Sequence, residues 1–144
     1  MANIKTIKQL IQHSSIPSSL IRAVIRQMGG WDSFKESAED ISNHGIAGGF
    51  HGFIYYAETV AFTKRNKKAI IEYAKRIADE MGETGIVSFL SYFGCLRGET
   101  QEDIADGLYN PRSENKTLIY NALAWFAAEE VARDYCDAFT MEDY

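Results

Sequence analysis

The chain has 144 residues, with 15 Lys and Arg against 20 Asp and Glu, for a formal net charge of -5. Apolar residues make up 46% and aromatic residues 12%, with only two prolines, which excludes an intrinsically disordered chain. The length suits one domain with a sizeable core, and two cysteines cannot make a disulfide scaffold.

Apolar spacing along the chain is mostly helical. Ile4, Ile7, Leu10 and Ile11 recur at three and four, which predicts a short amphipathic helix over residues 4–12. Ser14-Ser15-Ile16-Pro17 interrupts it. Pro17 suits the first turn of a second helix capped by Ser15 or Ile16, with Leu20, Ile21, Val24, Ile25 and Met28 on its apolar face. Gly29-Gly30 ends that helix, because glycine accepts the left-handed conformation that follows a helix. A third helix starts from an Asp32 cap and runs to about Ser42.

The glycine-rich segment from Gly45 to Gly52 follows. From Phe53 the spacing of Phe53, Ile54, Tyr56, Ala57, Val60 and Ala61 favours a helix, with a β-strand over residues 50–56 as the rival. Asn66 is placed to cap the next helix, which Gly82 terminates, and Ile86, Val87, Phe89, Leu90 and Phe93 predict a short buried helix after it. Thr100 to Asp103 is close to a capping box and opens another helix, stopped at Asn110-Pro111. The last helix, over residues 113–138, is apolar nearly all round in LIYNALAWFAA and is expected to run through the core. The expectation is an all-α, compact single-domain bundle of about seven helices spanning residues 1–144, with a long C-terminal core helix.

The first residues lack a continuous apolar run of the signal-peptide kind, and the longest apolar stretch, residues 118–128, is too short to span a bilayer. Cys95 and Cys136 form no Cys-x-x-Cys pair and suit a reducing compartment. A cytoplasmic protein with no membrane association is therefore expected.

The net charge averages two unlike parts. Residues 1–98 carry 12 basic and 9 acidic side chains, a net of +3, whereas residues 99–144 carry 3 basic and 11 acidic, a net of -8. Glu130, Asp134 and Asp137 are spaced four and three and line one stripe of the last helix. Acids near a helix C-terminus oppose the macrodipole, which suggests an acidic face for a basic partner surface; a merely solvated helix end is the plainer alternative. On the basic side, Lys64, Arg65, Lys67 and Lys68 cluster at one helix junction, a pattern suited either to phosphate groups or to a solvated turn.

Motifs for chemistry are sparse. His44, His51 and Glu58 are spaced seven apart, with Asp40 nearby, and form the best metal or acid–base group, although the spacing matches no compact zinc motif. GIAGGFHG lacks the Gly-x-Gly-x-x-Gly and Gly-Lys-Ser/Thr patterns that cradle phosphates, and no cofactor motif is present. TQEDIADGL resembles the first helix of a helix-turn-helix, but the segment after it, PRSENKTLIYNALAWF, is poor in cations and direct nucleic-acid binding is not expected. Trp31, after two glycines, is a candidate protein-binding anchor, since Trp and Tyr dominate interface hot spots.

Residues 29–66, together with NALAWFAAEEVARDY at residues 121–135, resemble an uncharacterised family of small proteins carried by phages, prophages and other mobile elements. The resemblance implies a context rather than a catalytic motif: small acidic proteins of that setting often inhibit a host defence, of the anti-CRISPR or anti-restriction type. The leading expectation is a non-enzymatic phage or mobile-element accessory protein that binds a host or phage protein with a basic surface. Glu130, Asp134, Asp137 and Trp31 are the candidate contacts. A small metal-dependent hydrolase using His44, His51 and Glu58, and a helix-turn-helix DNA-binding regulator, are the alternatives. A homodimer is compatible with either setting.

Overall fold

A computed structural model describes residues 4–44, 56–91, 101–110, 112–113 and 116–142 of the chain. Among them the secondary structure is entirely helical. Helix α1 (Ile7–His13) starts later than its apolar spacing suggests, because Thr6 forms a capping box with Gln9: the Gln9 amide donates to the Thr6 hydroxyl at 3.2 Å, and the Thr6 amide donates to the Gln9 side chain at 3.2 Å. Ile4, ahead of the cap, is nevertheless buried in the core.

Helix α2 (Ser18–Gln27) takes Pro17 itself as its N-cap, with no side-chain cap bond, in place of the expected Ser15 or Ile16. The Pro17 carbonyl accepts from the Leu20 and Ile21 amides at 3.0 and 3.1 Å, so the missing proline N–H costs nothing there. The helix ends as the glycine pair predicts. Gly29 and Gly30 have φ of 98° and 106°, the Gly30 amide donates to the Ile25 carbonyl at 3.0 Å, and the Gly29 amide to Arg26 at 3.1 Å. This is a Schellman motif followed at once by α3 (Trp31–His44). The Phe34 amide donates to the Gly30 carbonyl at 3.0 Å, so α3 begins a residue before the expected cap and Asp32 lies inside its first turn. An acid there still favours the positive end of the helix.

Residues 56–65 are helical as α4 (Tyr56–Arg65), which agrees with the helical spacing beyond Phe53; residues 45–55, including the rival strand segment before Tyr56, lie outside the described residues. Helix α5 (Lys67–Ser91) is broken at Gly82, whose φ of 80° and ψ of 164° are non-helical. The expected stop and restart are both present there. Helix α6 (Gln101–Tyr109) follows, with the predicted Thr100 cap outside the described residues. Its exit is held by Asp106, which accepts from Asn110 Nδ2 at 2.9 Å and from the Ser113 hydroxyl. That turn occupies Ser113, so α7 (Lys116–Glu142) starts three residues after the expected position.

Helix α7 is the axis of the fold and touches each of the other helices, most extensively α3. Ile119, Tyr120, Asn121, Ala122, Leu123 and Ala124 are buried in succession, which is possible only if neighbours cover every side of the helix. Farther along, Ala127, Ala128, Val131 and Ala132 are also buried. The alanines let adjoining backbones approach closely, while Phe34, Phe62, Ile70, Ile86 and Leu90 supply bulk from the surrounding helices. The buried residues form one continuous core drawn from all these helices. No helix among the described residues is long and apolar enough to cross a membrane.

Close packing of α7 makes an overpacking test direct. Ala128 is fully buried, and Ala128→Leu is expected to lower unfolding free energy by about 1–3 kcal/mol. Leu at the exposed Thr117, on the same helix, is expected to change it by less than about 0.5 kcal/mol. Urea denaturation of the two variants checks this.

Candidate functional site

The acidic stripe of α7 is drawn into the fold. The Tyr73 hydroxyl of α5 donates a hydrogen bond to the Glu130 carboxylate, and the Ser14 hydroxyl of the α1–α2 linker donates to Asp134 Oδ2 at 2.6 Å. Tyr73 is buried. Burial, then the negative charge of Glu130, raises its pKa well above the ordinary phenol value, so it remains a donor at neutral pH. Burial also raises the Glu130 pKa, against the opposing hydrogen bond from Tyr73, and the nearby Asp134 charge adds to the rise. Arg76 closes the same seam by donating to the Ser15 carbonyl at 2.6 Å while pairing with Glu72 at 3.1 Å. Glu129 pairs with Arg133 along α7 at 2.5 Å, as their spacing of four predicts. Asp137 belongs to α7, but its side chain lies outside the described residues.

Trp31 is likewise engaged within the chain. Its ring stacks on Phe34 and meets Tyr135 edge-on, each with centroids 5.6 Å apart, and its indole N–H donates to the Lys5 carbonyl at 3.2 Å. Lys35 Nζ lies over the ring at 5.8 Å. The structure thus places Trp31 as a clasp between the N-terminal segment, α3 and α7.

His44 ends α3 and Glu58 lies in the first turn of α4, whereas His51 falls outside the described residues, as do the side chains of His44 and Asp40. The His44, His51 and Glu58 grouping therefore lies partly outside the described residues, which themselves contain no group of three His, Cys, Asp or Glu able to hold a metal. Near Glu58, the Trp125 indole N–H donates to the Thr59 hydroxyl at 2.7 Å and pins α4 to α7. The helix-turn-helix alternative would require an exposed recognition face on α7, where residues 119–124 are buried without interruption.

A different surface has the makings of a binding site. Ile71, Ala74 and Ala78 of α5, Ile86 beyond its break, Leu108 and Tyr109 of α6, and Tyr120 of α7 line a mostly apolar cleft of about 150 Å³, with Lys75 at one side. The exposed large hydrophobic side chains among the described residues are Met81 and Tyr109, each 48% accessible. Tyr109 is in the cleft wall, and Met81 stands at the Gly82 break, between the lining residues Ala78 and Ile86. Asp79, Glu80 and Glu83 are exposed around that break, with Glu102 and Asp106 exposed on α6. Partial burial, then the negative charge of Glu83, raises the Tyr109 pKa, which sets Glu83 close to the cleft mouth.

The family described as a domain of unknown function, DUF7222, matches residues 7–141. The chain belongs to this family. Comparison with curated proteins and with solved structures returns no match. The match extends over the seven helices of the described residues and assigns no chemistry to any residue in them.

Sequence patterning pointed to the acids of α7 and missed the cleft of this DUF7222 member. Tyr109 and Met81 do occur beside a helix stop and a glycine break, positions where an apolar side chain has no helical neighbour to cover it. That Tyr109 shares a cleft with Ile71, Ala74 and Ala78 depends on how α5 and α6 pack, which spacing within either helix does not encode.

The raised pKa of Glu130 has a definite sign in stability. Such a carboxyl contributes fully below its unfolded-state pKa, and the contribution is lost as pH rises through the higher folded-state value. Glu130→Gln keeps an acceptor for Tyr73 without the buried charge. Its stability relative to the parent chain is expected to improve between about pH 4 and about pH 7. Urea midpoints for both proteins at the two pH values measure the change; a difference independent of pH contradicts it.

Proposed function

We propose that this chain is a non-enzymatic binding protein whose apolar cleft between α5, α6 and α7 receives a basic amphipathic segment of a partner protein. The observation that carries this reading is that Tyr109, one of two exposed large hydrophobic side chains among the described residues, lines an apolar cleft, with Glu83 near enough for its charge to act on Tyr109. Apolar side chains on one face of a peptide helix would fill the cleft, and Lys or Arg on its flanks would meet Glu83 and the exposed Asp79 and Glu102. The acidic surface remains the basis of partner choice, as the charge imbalance of the sequence suggests, but its working part lies at the α5 break rather than along α7. Inhibition of a defence protein in a host cytoplasm is the more specific form of the proposal; it draws support from the phage and mobile-element resemblance.

A synthetic amphipathic peptide of Leu and Lys, labelled for fluorescence anisotropy, serves as the probe. Saturable binding is expected at low ionic strength, weakening with added salt. Tyr109→Lys and Glu83→Lys should each raise Kd about tenfold or more, about 1.4 kcal/mol. Glu36→Lys, on exposed α3, makes the same charge change away from the cleft and should have little effect. Loss of the same size from all three substitutions, or no saturable binding to the parent protein, would overturn the proposal.

A further inference from the structure

The cation cluster at the α4–α5 junction acquires a second wall from the fold. A cleft of about 550 Å³ opens between α2 and that junction, lined by Ala23, Arg26, Gln27, Phe62, Arg65 and Asn66. Ala23 and Phe62 are buried and form its floor, while Arg26 and Arg65 are exposed on either side. Lys64, Lys67 and Lys68 are exposed next to Arg65 and Asn66 in the chain, and Arg22 precedes Arg26 by one helical turn.

No carboxylate among the described residues lines the cleft. Among the described residues, the ion pairs use Lys35, Arg76 and Arg133, so none of these six cations is neutralised by one. Arg65 instead donates from Nη2 to the neutral Gln27 Oε1 at 2.8 Å, which holds the guanidinium at the cleft without cancelling its charge. The first turn of α5 likewise contains no acid. In an acidic protein, two arginines lining one cavity, with four more cations close by in the chain, repel one another unless an anion joins them. Two guanidinium groups facing one space match the oxygens of phosphate better than those of a single carboxylate.

We propose that this cleft binds the oligophosphate group of a small molecule, with Arg26 and Arg65 as its principal contacts and the lysines as a surrounding positive rim. A nucleic-acid strand fits less well. The aromatic residue at the cleft, Phe62, is buried in its floor and offers no face for base stacking, and the net charge of -5 disfavours a long polyanion.

Isothermal titration of the full chain with inorganic tripolyphosphate, at low ionic strength, tests the inference. Saturable binding is expected, with Kd raised at least tenfold by Arg26→Gln combined with Arg65→Gln. Because Arg65 also holds Gln27, a second pair, Arg22→Gln with Lys68→Gln, changes only exposed rim residues and should weaken binding by a smaller factor. Lys5→Gln with Lys8→Gln removes as much charge from the N-terminal segment and should leave Kd unchanged. Absence of saturable binding, or equal weakening by the N-terminal pair, would overturn the site. Tighter binding of a single-stranded oligonucleotide than of tripolyphosphate would overturn the small-molecule assignment.

Discussion

Enclosure of α7 is the constraint on which the other contacts depend. A helix with six successive buried residues must be surrounded, and the other helices are arranged around it accordingly. Alanine at positions 122, 124, 127, 128 and 132 permits that arrangement by keeping the axis thin, so large side chains from α2, α3, α4 and α5 reach inward without collision. The polar contacts that fix each helix against the axis then sit at the edge of this core. Tyr73 meets Glu130 from α5, Ser14 meets Asp134 from the α1–α2 linker, and Trp125 meets Thr59 from α4. Each places a donor against an acceptor where water is partly excluded, so removing either partner leaves a group unsatisfied.

The same geometry distributes charge into distinct regions. Glu130 and Asp134 are committed to helix docking, which leaves the acids at the Gly82 break and along α6 as the more exposed negative surface. The break matters because it ends the regular packing of α5: Met81 before it is exposed, and Ile86 beyond it lines the cleft with Tyr109. Cations gather elsewhere, where α2 meets the α4–α5 junction. A mild net charge thus conceals an apolar cleft near Glu83 and a basic one lined by Arg26 and Arg65. The two present different chemistry and call for different ligands.

Much of the fold is legible in the sequence because its signals are local. Gly29-Gly30 specifies a Schellman ending, Gly82 specifies a break, and the unbroken apolar run of α7 specifies an enclosed helix. Boundary errors arise where two local solutions compete. Pro17 suits either a cap or the first helical position, and Ser113 can begin a helix or satisfy Asp106. The candidate site is less legible because it depends on contacts between residues far apart in the chain. Tyr73 and Glu130 are 57 positions apart and Ser14 and Asp134 are 120 apart, so an acidic stripe on one helix does not disclose the donors facing it. Trp31 shows the same limit: its anchoring character is evident, but its partners are Lys5, Phe34 and Tyr135 of its own chain.

Chemical-shift mapping distinguishes the two acidic surfaces most directly. Titration of the isotope-labelled chain with a basic amphipathic peptide should perturb Ala74, Ala78, Ile86, Leu108, Tyr109 and Tyr120 first, with smaller changes at Glu83. Perturbations centred on Glu130, Asp134 and Trp31, with the α5–α6 cleft unchanged, would contradict docking at that cleft.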